Sequence, residues 1–459
     1  MANKNLLTYA AKTSEIEQVY YSPVAVLPEA NTIPLSSTYC FLAKDDPWPL
    51  DANNVSIVPA PTQDQKSIKK VFKNIFVAKL VQTNDISPVI QRIDWVTDTT
   101  YQYYRDDINM FETNTDGSLV NNFYVKNSYD QVFKCLWNNN NQPSTIEPYF
   151  EPGTYGTNNI FQGVDGYKWK LMYTVDTGTA VKFMDANWLP VPVGANTPNP
   201  LVSSAGVGSI DVINITNGGQ GYDQANATIT ISVTGDGTGF AGTANVSNGV
   251  ITDVIVTNPG SNYSYADVNI ISSLGSGSVA VAPTSPVGGH GYDPVSELGA
   301  SRIMLSSQFS GSENGKIPTD ITYYQVGFII NPTTNSLNPY PANGSIYSTT
   351  TDLIVAPGFG QYVNGEIVWQ GSNYETRTFT GTLLSFDVAN NVAKLINTTG
   401  SLTTNAPVFG KNSLTTRTLL SYNTPDFVIS SGYMSYIENR SGVTRSPDGT
   451  EQIKIVLGY

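Results

Sequence analysis

The chain has 459 residues, room for about three domains, and 40% of them are hydrophobic, which is enough for large cores and excludes a disordered polymer. Only 13% are charged, about half the share usual in a soluble domain, so polarity comes from neutral side chains and from turn formers such as the 39 glycines and 27 prolines. The net charge of −13, from 24 basic and 37 acidic residues, excludes the basic footprint that sequence-independent nucleic-acid binding needs and argues against docking on anionic lipid.

In chain order, Met1 to Gln18 carries no apolar run long enough for a signal peptide. No window approaches the ~18 continuous apolar residues of a membrane helix. The expectation is a protein made and kept soluble in a cytoplasm. Residues 1–200 read as strands broken by turns, plus one helix predicted over 65–80. There Ile68, Val71, Phe72, Ile75 and Phe76 recur at helical spacing on one stripe, and Thr62 with Gln65 fits a capping box. Lys66, Lys69, Lys70 and Lys73 lie on the opposite face, either an ordinary solvated face or a dock for an acidic partner. Cys40 and Cys135, in the apolar strand-like stretches YCFLA and VFKCLW, read as buried reduced thiols.

Over 201–287 charge nearly vanishes and an internal repeat appears. Ile210–Tyr222 reads IDVINITNGGQGY and Ile251–Tyr263 reads ITDVIVTNPGSNY, an offset of 41 residues (263 − 222). Asn217, Gly219 and Tyr222 match Asn258, Gly260 and Tyr263. Each repeat predicts strand, tight Asn/Gly turn, tyrosine, strand. Together they predict a compact inserted all-β module that folds on its own strands, a passenger removable at Ser203–Pro286. The glycine-rich runs at 235–239 and 275–278 lack the Lys-Ser/Thr of a phosphate loop and read as turns.

Host-like sequence resumes over 288–354. A second small β module is predicted at 355–411, where GEIVWQ, GTLLSFD, VAKLI and APVFG are four short strand signals. Residues 412–459 close the core. Ile453, Ile455 and Leu457 alternate with Lys454 and Val456, which predicts a final strand with one buried face. Glu438 and Arg440, just upstream, form either a surface ion pair or a buried or interfacial one.

No catalytic signature emerges. His290, the one histidine, lies in GGHGYD. It reads as a turn residue bonding a backbone carbonyl, with general base beside Asp293 as the functional alternative. Two cysteines and one histidine at such distances make no zinc site. The pairs Asp45–Asp46 and Asp106–Asp107 each point to opposite sides of an extended segment, so neither makes a site by itself. No cofactor, metal or small-molecule substrate is expected.

Several landmarks occur in one order: YCFLAKDDPWP (39–49), the helix, VIQRIDWVTDTTYQYYRDD (89–107), VFKCLW (132–137), GVDGYKWKLMYT (163–174), MSYIENR (434–440) and the closing strand. With these the chain resembles the homodimeric baseplate wedge subunits of T-even-type contractile-tailed bacteriophages, over about 300 residues. It departs from that pattern at the two inserts. The resemblance implies a mainly β fold: a layered β-sandwich core with one or two peripheral α-helices, here carrying the two inserted small all-β modules. It also implies a non-enzymatic structural subunit of the virion, assembled in the host bacterial cytoplasm as a homodimer packed against other baseplate wedge proteins. The alternative is a receptor-binding tail fibre or adhesin, in which the repeat tyrosines would stack on sugars. A polysaccharide-degrading enzyme is a third reading, but the sequence names no carboxylate pair for it.

Overall fold

The computed structural model describes residues 37–43, 47–154, 159–193, 207–335, 342 and 344–458. The pair Asp45–Asp46 lies outside them. The protein is mainly β, with three α-helices among the described residues. It divides into two compact units. Of the described residues, one unit holds 87–304 and 456–458, and the other holds 37–86 and 305–455.

The second unit begins with β1 (Thr38–Ala43), α1 (Gln65–Asn74) and β2 (Ile75–Leu80). The helix is shorter than the 65–80 its apolar stripe predicts. Val71 and Phe72 are buried beneath it as expected, but at Ile75 the backbone becomes extended. From there Ile75, Phe76, Val77 and Ala78 are all buried, on both faces of a strand paired with β1. A run of strand-favouring Ile75, Phe76 and Val77 with a strand partner on each edge outcompetes helix continuation. The cap also differs: Asp64, not Thr62, accepts from Ser67 N–H at 2.9 Å, and Thr62 supports it by donating to the Asp64 carboxylate at 2.7 Å. Lys66, Lys69, Lys70 and Lys73 are exposed, as an outer helix face requires.

The first unit begins within β3 (Ile86–Gln91), followed by β4 (Tyr124–Lys126), β5 (Gln131–Asn138), β6 (Ile160–Gln162), β7 (Tyr167–Thr174), α2 (Thr177–Phe183) and β8 (Trp188–Pro190). β4, β5, β7 and β6 form an antiparallel sheet in the order β4-β5-β7-β6. β5 is buried along its whole length. On one face Val125, Phe133, Cys135, Tyr167, Trp169 and Leu171 form an apolar cluster. On the other, Val132 and Met172 join a second cluster, while Lys134, Lys168 and Lys170 are buried beside them.

The repeat region supplies β9 (Asn214–Gln220), β10 (Ile229–Gly235), β11 (Thr238–Ser247), β12 (Val250–Ser261), β13 (Ala266–Ser272) and β14 (Ser276–Val281). The two repeats exchange partners: β9 of the first pairs with β14 of the second, and β12 of the second pairs with β11 of the first. β10 pairs with its own equivalent β13, and Thr230 faces Ile271, the residue 41 places on. Tyr222 N–H donates to Gly249 O at 3.0 Å and, reciprocally, Tyr263 N–H to Gly208 O at 3.1 Å. The module therefore has an internal pseudo-two-fold, and neither repeat completes its ladders alone. The Asn/Gly frames, expected as tight turns between strands, lie instead inside β9 and β12 with a register shift beside each asparagine; Asn217 accepts from Gly219 N–H at 2.9 Å and Asn258 from Gly260 N–H at 3.1 Å. The two glycines have φ of +64° and +65°, and a Cβ at either would run into backbone oxygen across the ladder.

After α3 (Pro294–Glu297) come β15 (Arg302–Ser310), β16 (Thr322–Ile330) and β17 (Ile346–Ser348). A closed barrel follows, with β18 (Thr351–Val355), β19 (Ile367–Gln370), β20 (Phe379–Asp387), β21 (Val392–Gly400), β22 (Pro407–Gly410) and β23 (Thr416–Asn423). It is wider than the 355–411 segment read from sequence, because Thr351–Val355 and Thr416–Asn423 close it against each other. β24 (Tyr433–Thr444) and β25 (Thr450–Gly458) end the chain. The second unit's main sheet runs β17-β2-β1-β16-β24. Tyr39, Phe41 and Ile329 on one face of it pack with Val71 and Phe72 of α1.

Within the second unit β25 is an outer strand beside β15. Ile453 and Ile455 are buried as predicted, whereas Leu457 is only partly so. The turn before β25 is held by Arg445, which is 0% exposed. Its guanidinium donates to Glu451 at 2.9 and 3.0 Å and to the Pro318 and Gly311 carbonyls at 3.0 and 2.9 Å. Ile455→Ala should therefore cost about 2–5 kcal/mol in urea unfolding, Leu457→Ala clearly less, and Lys454→Gln little. Truncation after Asp448 strips the carboxylate from a buried guanidinium and should give aggregated or protease-sensitive protein.

Candidate functional site

The chemistry concentrated in the first unit is the buried charge under the β5–β7 sheet. Alternate strand residues share a face, and Lys134 on β5 is the register partner of Lys170 on β7. Lysine in the middle of a buried strand requires counter-charge. The counter-charges come from later in the chain. Lys134 Nζ donates to Glu297 Oε2 at 3.1 Å, with the two side chains 0% and 2% exposed. Lys168 Nζ meets Asp253 Oδ1 of the repeat module at 2.6 Å. Asp253 Oδ2 also accepts from Gln162 at 2.9 Å. Asn214 on β9 adds a buried hydrogen bond to Leu136 O at 3.0 Å. The module is thus wired into the host sheet, a connection that the neutral composition of 201–287 does not advertise.

His290 completes the cluster around Lys134. Its Nδ1 lies 3.2 Å from Lys134 Nζ, and its ring meets Tyr104 edge-on with centroids 5.0 Å apart. The ammonium can only donate, so Nδ1 accepts and Nε2 carries the proton. Lys134 Nζ also lies 3.9 Å from the Tyr104 ring centroid. Neither expectation for this histidine describes its contacts: the ring faces a lysine rather than a backbone carbonyl. Asp293 does not face it as a catalytic partner but caps α3, accepting from Ser296 N–H at 3.1 Å. Glu297 Oε1 accepts from Gly291 N–H at 2.7 Å and from Asp293 N–H at 3.3 Å, so one carboxylate fixes both the lysine and the GGHGYD turn.

The protonation states follow from burial and charge. Burial and then the Lys134 charge push His290 below its ordinary 6.5, so it is neutral. Burial lowers Lys134, opposed by the Glu297 charge. Lys170 is lowered by burial too, opposed by Asp211 and Glu297. For Glu297, burial alone would raise the carboxyl, but the Lys134 charge and the hydrogen bond Lys134 donates prevail and hold it at about 2. The His–Lys–Glu set could relay a proton, yet His290 and Lys134 are 2% and 0% exposed, so neither reaches a substrate. Its chemistry is that of a structural lock.

The other singled-out residues are dispersed. Glu438 and Arg440 form a half-exposed pair on β24 at 2.7 Å. Asp106 accepts from Thr284 N–H and Oγ1 at 2.8 Å each, while Asp107 pairs with Arg105 at 2.6 Å. Both cysteines carry free, buried thiols; burial pushes Cys40 up to about 12 and raises Cys135 as well. Tyr222 and Tyr263 are 4% and 6% exposed and belong to the module core, so they offer no free ring faces. Among the described residues, no group of three or more His, Cys, Asp or Glu could hold a metal ion, and no helix is long and apolar enough to cross a membrane. No family model matches the chain, and no curated protein matches it.

Glu297→Gln leaves the Lys134 charge uncompensated, and should cost about 3–5 kcal/mol in denaturant unfolding. The double variant Lys134→Met/Glu297→Gln, which removes the buried charge but keeps an acceptor for Gly291 N–H, should recover most of that loss. The pH dependence has a definite sign. A histidine lowered in the folded state costs nothing above 6.5, and stability falls as pH drops through 6.5 toward the folded value. The Glu297 contribution is full above 4.5 and is lost as pH falls from 4.5 to about 2. His290→Gln should therefore flatten the melting-temperature profile just below pH 6.5 and leave the drop below pH 4.5 in place.

Proposed function

We propose that the protein is a non-enzymatic structural subunit of a contractile phage tail baseplate wedge. It would act as a homodimer that holds neighbouring wedge proteins in register until the baseplate changes shape and the sheath contracts. Interfaces, not an active site, would store the free-energy difference in such an assembly. One observation carries the reading: segments bearing the family resemblance fall, in order, on strands that build the cores. Tyr39–Ala43 lies in β1, Val132–Trp137 in β5, Tyr167–Thr174 in β7 and Met434–Arg440 in β24. The sealing of the His290 cluster is consistent with a mechanical role, as is a low-charge composition rich in tyrosine, which offers contact area with little salt dependence. The exposed lysine face of α1 and the Glu438–Arg440 pair on β24 are the surfaces we assign to partner contacts. The adhesin alternative loses its main support, because the repeat tyrosines are core residues.

Light scattering on the purified chain tests the reading. A particle of twice 49.6 kDa is expected, and antibody raised against it should label the baseplate of tailed particles in electron micrographs. A trimer, or label confined to fibres, would favour the adhesin.

A further inference from the structure

The first unit also holds an open groove of about 620 Å³, within the roughly 300–1,000 Å³ range of small-ligand clefts. One side is Tyr103 and Arg105–Asp107 of a host loop. The other is Ser264–Val268 and Ala280–Thr284 of the repeat module. Both sides are pinned. The Asp106–Thr284 hydrogen bonds tie the loop to the module. Tyr103 packs edge-on against Trp137 at 5.1 Å between centroids. Ser264 donates its N–H and hydroxyl to Asp236 at 2.8 and 2.6 Å, which fixes the backbone leading into Tyr265. A site held this way loses little entropy when it is filled.

The module carries its own internal control. The repeat offset makes Gln224 the counterpart of Tyr265, and Asn226 the counterpart of Asp267. Gln224 simply donates to Ala244 O at 3.1 Å. The scaffold therefore does not require an aromatic at that position, and Tyr265 is 56% exposed. Tyr265 and Asp267, two of the positions at which the repeats differ, fall on the groove.

The lining selects a ligand class. Three carboxylates, Asp106, Asp107 and Asp267, against one guanidinium, Arg105, disfavour an anion. Alanine, valine and proline beside two tyrosines suit apolar ring faces, and the Arg105–Asp107 pair offers a donor and an acceptor side by side. A molecule with apolar faces and hydroxyl edges fits both demands. We propose that this groove binds a neutral saccharide, with the Tyr265 ring against a sugar C–H face and the Arg105–Asp107 pair on adjacent hydroxyls. The proposal stands apart from the wedge reading, since it rests on the groove alone.

Saturation-transfer NMR on the full chain, with maltotriose, cellotriose and the neutral fully N-acetylated chitotriose each at on the order of 10 mM, covers the weak affinities of an open site. At least one trisaccharide should receive saturation. Tyr265→Gln, the side chain used by the first repeat, should weaken that binding roughly tenfold or more with unchanged melting. Gln224→Ala should leave it intact. If Tyr265→Gln alters melting, Asp107→Asn decides, and it should also weaken binding. No transfer from any of the three sugars, or undiminished affinity in both groove variants, overturns the proposal.

Discussion

Three lysines on one face of a buried sheet set the terms for the first unit. Lys134, Lys168 and Lys170 occupy positions where β5 and β7 are otherwise apolar and closed to water. A buried ammonium without a partner costs several kcal/mol, more than most single contacts return. The sheet is therefore incomplete until acids arrive, and they arrive from far along the chain. Asp253 comes from the second repeat and Glu297 from the segment that returns to the host. Asp211, at the entry to the module, adds a favourable charge near Lys170. The insertion is thus one half of an electrostatic lock, and its intertwined repeats make that half rigid.

Much of this was legible in the sequence where one physical signal dominated. The period-two run at Ile453 and Ile455 gave the closing strand, because burial on one face leaves no other pattern. The Asn-x-Gly frames marked the two positions where only glycine fits, φ near +65° against a facing carbonyl, but these lie inside β9 and β12 rather than between strands. The helix was overextended because Ile75 and Phe76 continue the helical stripe while also belonging to a strand buried on both sides. Periodicity alone cannot separate those cases. The candidate site was largely missed. His290 is the chemically conspicuous residue of the sequence, yet Lys134 and Glu297 define its surroundings. The available signal was a charged residue inside VFKCLW and two more inside YKWKLMY, where apolar neighbours forecast burial and hence a hidden partner. Which acid would meet which lysine depends on tertiary packing across 85 to 163 residues, beyond any local pattern.

The division between sealed and open chemistry bears on function. The His290–Lys134–Glu297 cluster is locked away from solvent, whereas the lysine face of α1, the Glu438–Arg440 pair and the groove at Tyr265 remain accessible. Both proposals draw on these accessible surfaces and neither on the sealed cluster. That is the common ground between the assembly role we propose and a saccharide groove, although each rests on its own residues.

The central claim is that the buried lysines make module and host one cooperative unit. Hydrogen–deuterium exchange of the intact chain, compared with Asp253→Asn, tests it most directly. The account predicts that peptides from β7 and from β12 open together in the parent protein, and that the substitution accelerates exchange in both. Faster exchange confined to the module, with β7 still protected at the parent level, would contradict it.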